Sequence, residues 1–173
     1  MTTDIQAHLI GNTITSNSKK AYSLAKQSFF GEHIEEKVRY MLQEVLYLIQ
    51  KKKMQVFQRE KILTEQDLIK KFTRLDKKFP IKYAVYKNLR SKGYIVKTAL
   101  KFGAEFRVYP KGKKPGKGHA KWIVFTDSEN NKLSWNEFSA KNRVAHSTKK
   151  NILLAIVDQE EQIIYYEVKW IKP

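Results

Sequence analysis

The stretch YAVYKNLRSKGYIVKTALKFGAEFRVYPKG, residues 83–112, changes its hydrophobic period midway, and that change decides the fold of the second half of the chain. Over residues 81–92 the apolar side chains Ile81, Val85 and Leu89 recur at helical spacing, and Gly93 stops the run. Residues 94–102 then alternate: Val96, Thr98, Leu100 and Phe102 fall on one face of a strand, Lys97 and Lys101 on the other. Gly103 breaks the pattern and residues 105–109 resume it as a second strand, with Tyr109 pointing the same way as Glu105 and Arg107, away from Phe106 and Val108. The segment KGKKPGKG, 111–118, has nothing to pack and reads as a loop.

Downstream, residues 120–125 predict a third strand. Ser134 followed by Glu137 forms a capping box that opens a helix running towards His146. Residues 152–157 form a buried-looking strand, and the DQEEQ turn leads into a last one over 163–171. Upstream, a short helix over 18–30 ends at Gly31. A broad apolar face (Val38, Met41, Leu42, Val45, Leu46, Ile49) predicts a helix over 37–49. A brief strand at 54–57 precedes a helix introduced by Thr64 and Asp67. Phe79-Pro80 is the best boundary, because proline disfavours helical backbone at the residue before it. The expected fold is α+β, or mixed α/β: a small helix-rich N-terminal domain over residues 1–79, then a mixed-sheet domain over 80–173.

With 34 basic and 17 acidic residues the 173-residue chain carries a formal charge of 34 − 17 = +17, which points to a polyanionic partner, nucleic acid before a membrane surface. Hydrophobic residues at 42% are enough for a packed core. The absence of cysteine excludes disulfides and thiolate chemistry. The opening MTTDIQAHLIGNT lacks the layout of a signal peptide, and no apolar run is long enough for a membrane span, so a cytoplasmic location is expected. No phosphate-binding glycine loop and no HExxH motif is present, and His8, His33, His119 and His146 lack ligand spacing.

What remains is a concentration of basic and polar groups between Lys97 and Lys150. The lysine-glycine loop is bracketed by Tyr109 and His119; if their strands pair, both side chains emerge at one edge of the sheet. Taken singly, Tyr109 reads as amphipathic packing and Lys150 as a helix-terminal cation.

Together with GHAKWIVF (118–125) and RVAHSTKKNILLAIVD (143–158), the quoted stretch resembles the archaeal tRNA-splicing (tRNA intron) endonuclease family, over residues 83–170. A looser echo of that family's N-terminal domain lies in SLAKQSFFG (23–31) and in residues 42–49. The resemblance implies catalytic roles for Tyr109, His119 and Lys150, and a base-gripping role for Arg143. The family's second base-gripping position has no clear match here, Lys169 and Trp170 being the nearest residues. It further implies a precursor-tRNA substrate cut in each bulge of a bulge-helix-bulge, products with 2′,3′-cyclic phosphate and 5′-hydroxyl ends, no cofactor and no metal. A short chain with one catalytic set resembles the homotetrameric branch, in which two cuts require an even number of sites.

The chemistry of such a trio is coherent. The RNA's 2′-hydroxyl attacks, Tyr109 takes its proton, His119 protonates the departing oxygen and Lys150 neutralises the phosphorane. A free imidazole, with a pKa of about 6.5, suits the acid; a free phenol, at about 10, needs neighbouring cations to serve as base. Lysines of the 111–121 loop, Lys117 among them, and those of the Lys97/Lys101 face are expected to hold phosphates, and Arg143 and Trp170 to stack on unpaired bases. The strand 163–170 is expected either in the core or extending a sheet across a dimer. Asp127 and Glu129 form either a simple polar turn or an acidic loop that docks on a neighbouring subunit. Two alternatives stand beside this reading. One is a metal-dependent nuclease using Asp158, Glu167 and Lys169; the other is a non-catalytic RNA-binding subunit.

Overall fold

The structure, a computed structural model, describes residues 5–173. It divides into two compact units, Met1–Pro80 and Ile81–Pro173. Both mix helices with a sheet, as the α+β expectation requires. Among the described residues no helix is long and apolar enough to cross a membrane.

The first unit contains strands β1 (Ile5–Ile10), β2 (Thr13–Ser16), β3 (Glu32–Ile34), β4 (Lys37–Tyr40), β5 (Met54–Gln58) and β6 (Lys61–Ile62), with helices α1 (Lys19–Ser28), α2 (Leu42–Gln50) and α3 (Glu65–Leu75). Its described strands form one sheet in the order β3-β4-β2-β1-β5-β6, in which β1 and β5 run parallel and the other neighbours antiparallel. This sheet is much larger than the single strand expected at 54–57. The alternation that builds β1 is plain: Ile5, Ala7 and Leu9 are buried and Gln6, His8 and Ile10 are not.

The helix expected over 37–49 begins only at Leu42. Val38 and Tyr40 alternate inward on β4, and Met41 stays extended as the N-cap. The Glu44 carboxylate explains the switch. It accepts hydrogen bonds from the Met41 N–H at 2.9 Å and the Gly31 N–H at 3.0 Å, and its side chain is almost wholly buried. The short helix expected over 18–30 is α1, capped by Ser18, but its left-handed terminal residue is Phe29 rather than Gly31. Gly31 serves another purpose. At φ +73° it lies so close to β4 that a Cβ would overlap Val38 Cγ1.

The second unit contains α4 (Phe79–Ser91, begun in the first), β7 (Ile95–Thr98), a 3₁₀ turn at Leu100–Phe102, β8 (Phe106–Tyr109), β9 (Trp122–Ser128), α5 (Trp135–Ser147), β10 (Asn151–Val157) and β11 (Ile163–Val168). α4 starts two residues before the position expected for it, since Pro80 sits in the first turn, where no N–H is needed. The sheet order is β11-β10-β9-β8-β7, with β9 and β10 parallel and joined across α5. The capping box at Ser134 and Glu137 starts α5 as expected.

Two expectations about sheet faces need correction. The first strand ends at Thr98, and Leu100 projects into solvent from the 3₁₀ turn. Lys97 and Tyr109, expected on a solvated face, are each only 5% exposed. The reason is a second covering layer. One face packs on α4, where Tyr86 meets Phe106 at 5.8 Å, and the other packs on α5 through Ile123, Phe125, Ile152 and Ala145.

Gly31→Ala combines left-handed strain with overlap against β4 and should lower stability by about 2–5 kcal/mol, read as a shift in urea midpoint. Ser134→Ala, which removes only a cap at a solvent-facing helix start, should cost about 1 kcal/mol in the same assay.

Candidate active site

The site lies where β8 ends and β9 and β10 begin. The Lys121 N–H donates to the Val108 carbonyl at 3.0 Å, and the Asn151 N–H donates to the Lys121 carbonyl at 3.0 Å. Residues 109, 121 and 150 are thereby drawn to one end of three adjacent strands. At roughly 4.8 Å per strand, Tyr109 and Lys150 stand about 10 Å apart at the backbone. The connection from Pro110 to Ala120 rises from this edge through two turns, Lys113 N–H to the Pro110 carbonyl and Lys117 N–H to the Lys114 carbonyl. Gly112 and Gly116 hold φ values of 83° and 82° within them, which glycine adopts without strain. His119 is exposed on the return from the loop, two residues before Lys121. Lys117 is exposed within the loop.

Lys150 is delivered by the end of α5. Lys149 adopts φ 54°, its N–H bonds to the His146 carbonyl and the Lys150 N–H bonds to the Ala145 carbonyl, which is a Schellman termination. The Lys150 ammonium donates to the Thr148 carbonyl at 2.8 Å and lies 5.8 Å from the centre of the Phe102 ring. The Lys101 ammonium lies 5.0 Å from that same ring. Burial, and then the nearby charges of Arg107 and Lys101, hold the Lys150 ammonium below the usual lysine range. Arg107 was not singled out in the sequence as a site residue. Its position two residues before Tyr109 on the same strand face was the available signal.

On the far side of Lys150 the surface opens into a cavity of about 200 Å³ lined by Lys150, Asn151, His146 and Trp170. It continues into a shallower groove that includes Arg143, Phe138 and Lys169. Arg143 is exposed on α5, and the Trp170 ring lies tilted against His146 at 4.5 Å. His146 is a residue that sequence reasoning set aside, because its importance comes from a neighbour in space. Tyr109 and Lys150 thus come to one end of adjacent strands, with Lys101 beside Lys150 at the Phe102 ring and His119 exposed on the loop that returns to that end. Arg143 and Trp170 lie along the adjoining groove, and Lys117 stays out in the loop.

The metal-nuclease alternative fails on geometry. Glu167 pairs with Leu153 near the start of β10, whereas Asp158 follows Val157 at its other end. The Asp158 carboxylate accepts from the Glu160 and Gln162 N–H groups in its own turn, and Glu167 is held by Asn151 and Lys121. No cluster of metal-ligating side chains occurs among the described residues. Asp127 and Glu129 are engaged within their own chain: Asp127 accepts from Ser128 and Asn131, and Glu129 from the Gln159 N–H. β11 is an edge strand, with Ile164 and Tyr166 more than half exposed.

Comparison with known proteins places this geometry in context. The family model described as the tRNA intron endonuclease N-terminal domain matches residues 5–69, and the one described as its catalytic C-terminal domain matches residues 79–165. The chain is 41% identical over 169 residues to the tRNA-splicing endonuclease of Pyrococcus horikoshii, covering 97% of each. It is 39% identical over 173 residues to that of Pyrococcus furiosus, covering 99% of each. With that of Nanoarchaeum equitans it shares 44% over 136 residues, 75% of this chain and 87% of the other. Both halves of the chain match in order and relatives align along nearly all of it, so this protein belongs to the tRNA intron endonuclease family and carries that family's catalytic domain.

Proposed function

We propose that this chain removes introns from precursor tRNA by cutting both splice sites of a bulge-helix-bulge, without a metal ion, and leaves 2′,3′-cyclic phosphate and 5′-hydroxyl ends. The observation that carries the reading is that backbone pairing brings Tyr109, Lys150 and the loop bearing His119 to one end of the second sheet, beside a cavity that Lys150 helps to line. In this mechanism Tyr109 accepts the proton of the attacking 2′-hydroxyl, His119 supplies a proton to the leaving 5′-oxygen and Lys150 offsets charge on the phosphorane. The rigid strand ends hold the first and last of these, while the loop carries His119 to the phosphate.

Affinity and selection use other groups. Lys101 and Lys117 contact phosphates, and Arg143 and Trp170 receive an unpaired base along the groove. Two cuts at a fixed spacing require paired sites, supplied by a homotetramer built from dimers, with the exposed apolar edge of β11 as the surface for pairing. The location proposed for the enzyme is the cytoplasm.

His119→Ala should slow single-turnover cleavage by about 10²–10⁴ while RNA affinity stays within threefold, and Tyr109→Phe should lie in the same range. Near-normal rates in either would remove that residue from the chemistry. Cleavage by the wild-type chain should persist in excess chelator and yield cyclic-phosphate ends; arrest by chelator would refute the metal-free mechanism. The lowered proton affinity of Lys150 gives a pH signature. Its charge, needed in the reaction, is lost as pH rises through a value below that of an ordinary lysine. The rate should therefore decline early on the alkaline side, and Lys101→Met, which relieves repulsion, should move that decline to higher pH.

A further inference from the structure

Arg107 poses a problem that the fold does not solve internally. It lies on β8 opposite Ile123 of β9, on the sheet face that carries Tyr109 two residues further on. Its Nε is cut off from solvent and has no hydrogen-bond partner. A guanidinium nitrogen buried in this way normally meets an acceptor, because an unmet donor loses its water without compensation. Neither Arg107 nor Lys101 nor Lys150 forms an ion pair with any carboxylate among the described residues. Glu167, on β11, is held by Lys121 and Asn151. The other local acid, Glu105, accepts from the Thr126 N–H. The ammonium groups of Lys101 and Lys150 share the Phe102 ring, and the charges of Arg107 and Lys101 both reach Lys150. Three cations are therefore held together by packing and backbone geometry, with no anion of their own.

We propose that Arg107 is a third substrate-binding cation of the active site, whose terminal guanidinium nitrogens donate to a non-bridging oxygen of the scissile phosphate opposite the one served by Lys150, the buried Nε staying on the protein side. This rests on the endonuclease reading and adds a catalytic residue to it. The fork of Arg107 fixes the phosphate's orientation, which a point-like ammonium does not, and so presents the 2′-hydroxyl and the leaving oxygen in line to Tyr109 and His119. Lys101, more exposed, sets the potential that draws the strand in.

The test uses precursor tRNA carrying a single phosphorothioate at a splice site, with each diastereomer assayed separately against the normal phosphate under single turnover in the full-length chain. In the wild type, one diastereomer should be cut at least about tenfold more slowly, as expected for weakening one charge-assisted hydrogen bond. Arg107→Gln should cut the normal substrate about 10²–10³ times more slowly and show a sulfur-to-oxygen ratio near one for that diastereomer. Because the ratio is taken within each variant, a partly unfolded fraction cancels out of it. Arg107→Lys, which keeps the charge but loses the fork, should recover part of the rate and part of the sulfur effect. An undiminished sulfur effect in Arg107→Gln, or an unchanged rate, overturns the role of Arg107 and leaves the endonuclease reading intact. Failure of the wild-type chain to cut precursor tRNA overturns both.

Discussion

The parallel pairing of β9 with β10 is the constraint on which the catalytic half of this molecule depends. A parallel neighbour cannot be reached by a tight turn, so the chain crosses over through α5 and re-enters the sheet at Asn151. The register, Asn151 beside Trp122 and Ile152 beside Ile123, is held by the inward packing of Ile123, Phe125 and Ile152 against Ala145. A shift of one residue would move that apolar set to the opposite face of the sheet, away from α5. Lys150 consequently has no freedom of position. It is the residue between the Schellman end of α5 and the first pair of the parallel ladder, and both fixtures are made of backbone hydrogen bonds.

The same arrangement explains why cations accumulate here without loss of the fold. Each is anchored by something other than an opposite charge: Lys150 by the Thr148 carbonyl and the Phe102 ring, Lys101 by that ring, Arg107 by its place in β8 between pairs that pack on α4. Lys121, by contrast, is neutralised by Glu167 and stacked on Trp122. The sheet edge therefore separates cations spent on structure from cations left available to a polyanion. Burial first, and then the unpaired charges of Arg107 and Lys101, hold the Lys150 ammonium below the usual lysine range.

Much of this was legible before any coordinates. Strand and helix order from α4 to β11 followed from the change of hydrophobic period near Gly93, from the Ser134–Glu137 cap and from the glycine-lysine loop, all of which act over a few residues. The first unit was less legible. Short strands such as β2, β3 and β4 are three or four residues long, too short for alternation to compete with the helical periodicity of the apolar run that follows. β1 did carry a readable alternation, but its partner β5 lies more than forty residues away.

Local chemistry, then, was determined by the sequence alone: which segments cap, turn or alternate, the excess of positive charge, and the family likeness that singled out Tyr109, His119 and Lys150. Tertiary structure alone decided what each of these groups faces. The burial of Tyr109 and Lys97 required two covering layers, and the role of Glu44 as a cap required Gly31 to pass within reach of it. The meeting of Arg107 with Lys101 and Lys150 arises from three separate stretches of chain. The physical reason is common to all of them. Burial and electrostatic surroundings are properties of neighbours in space, and no spacing along the chain encodes them until the sheet has closed.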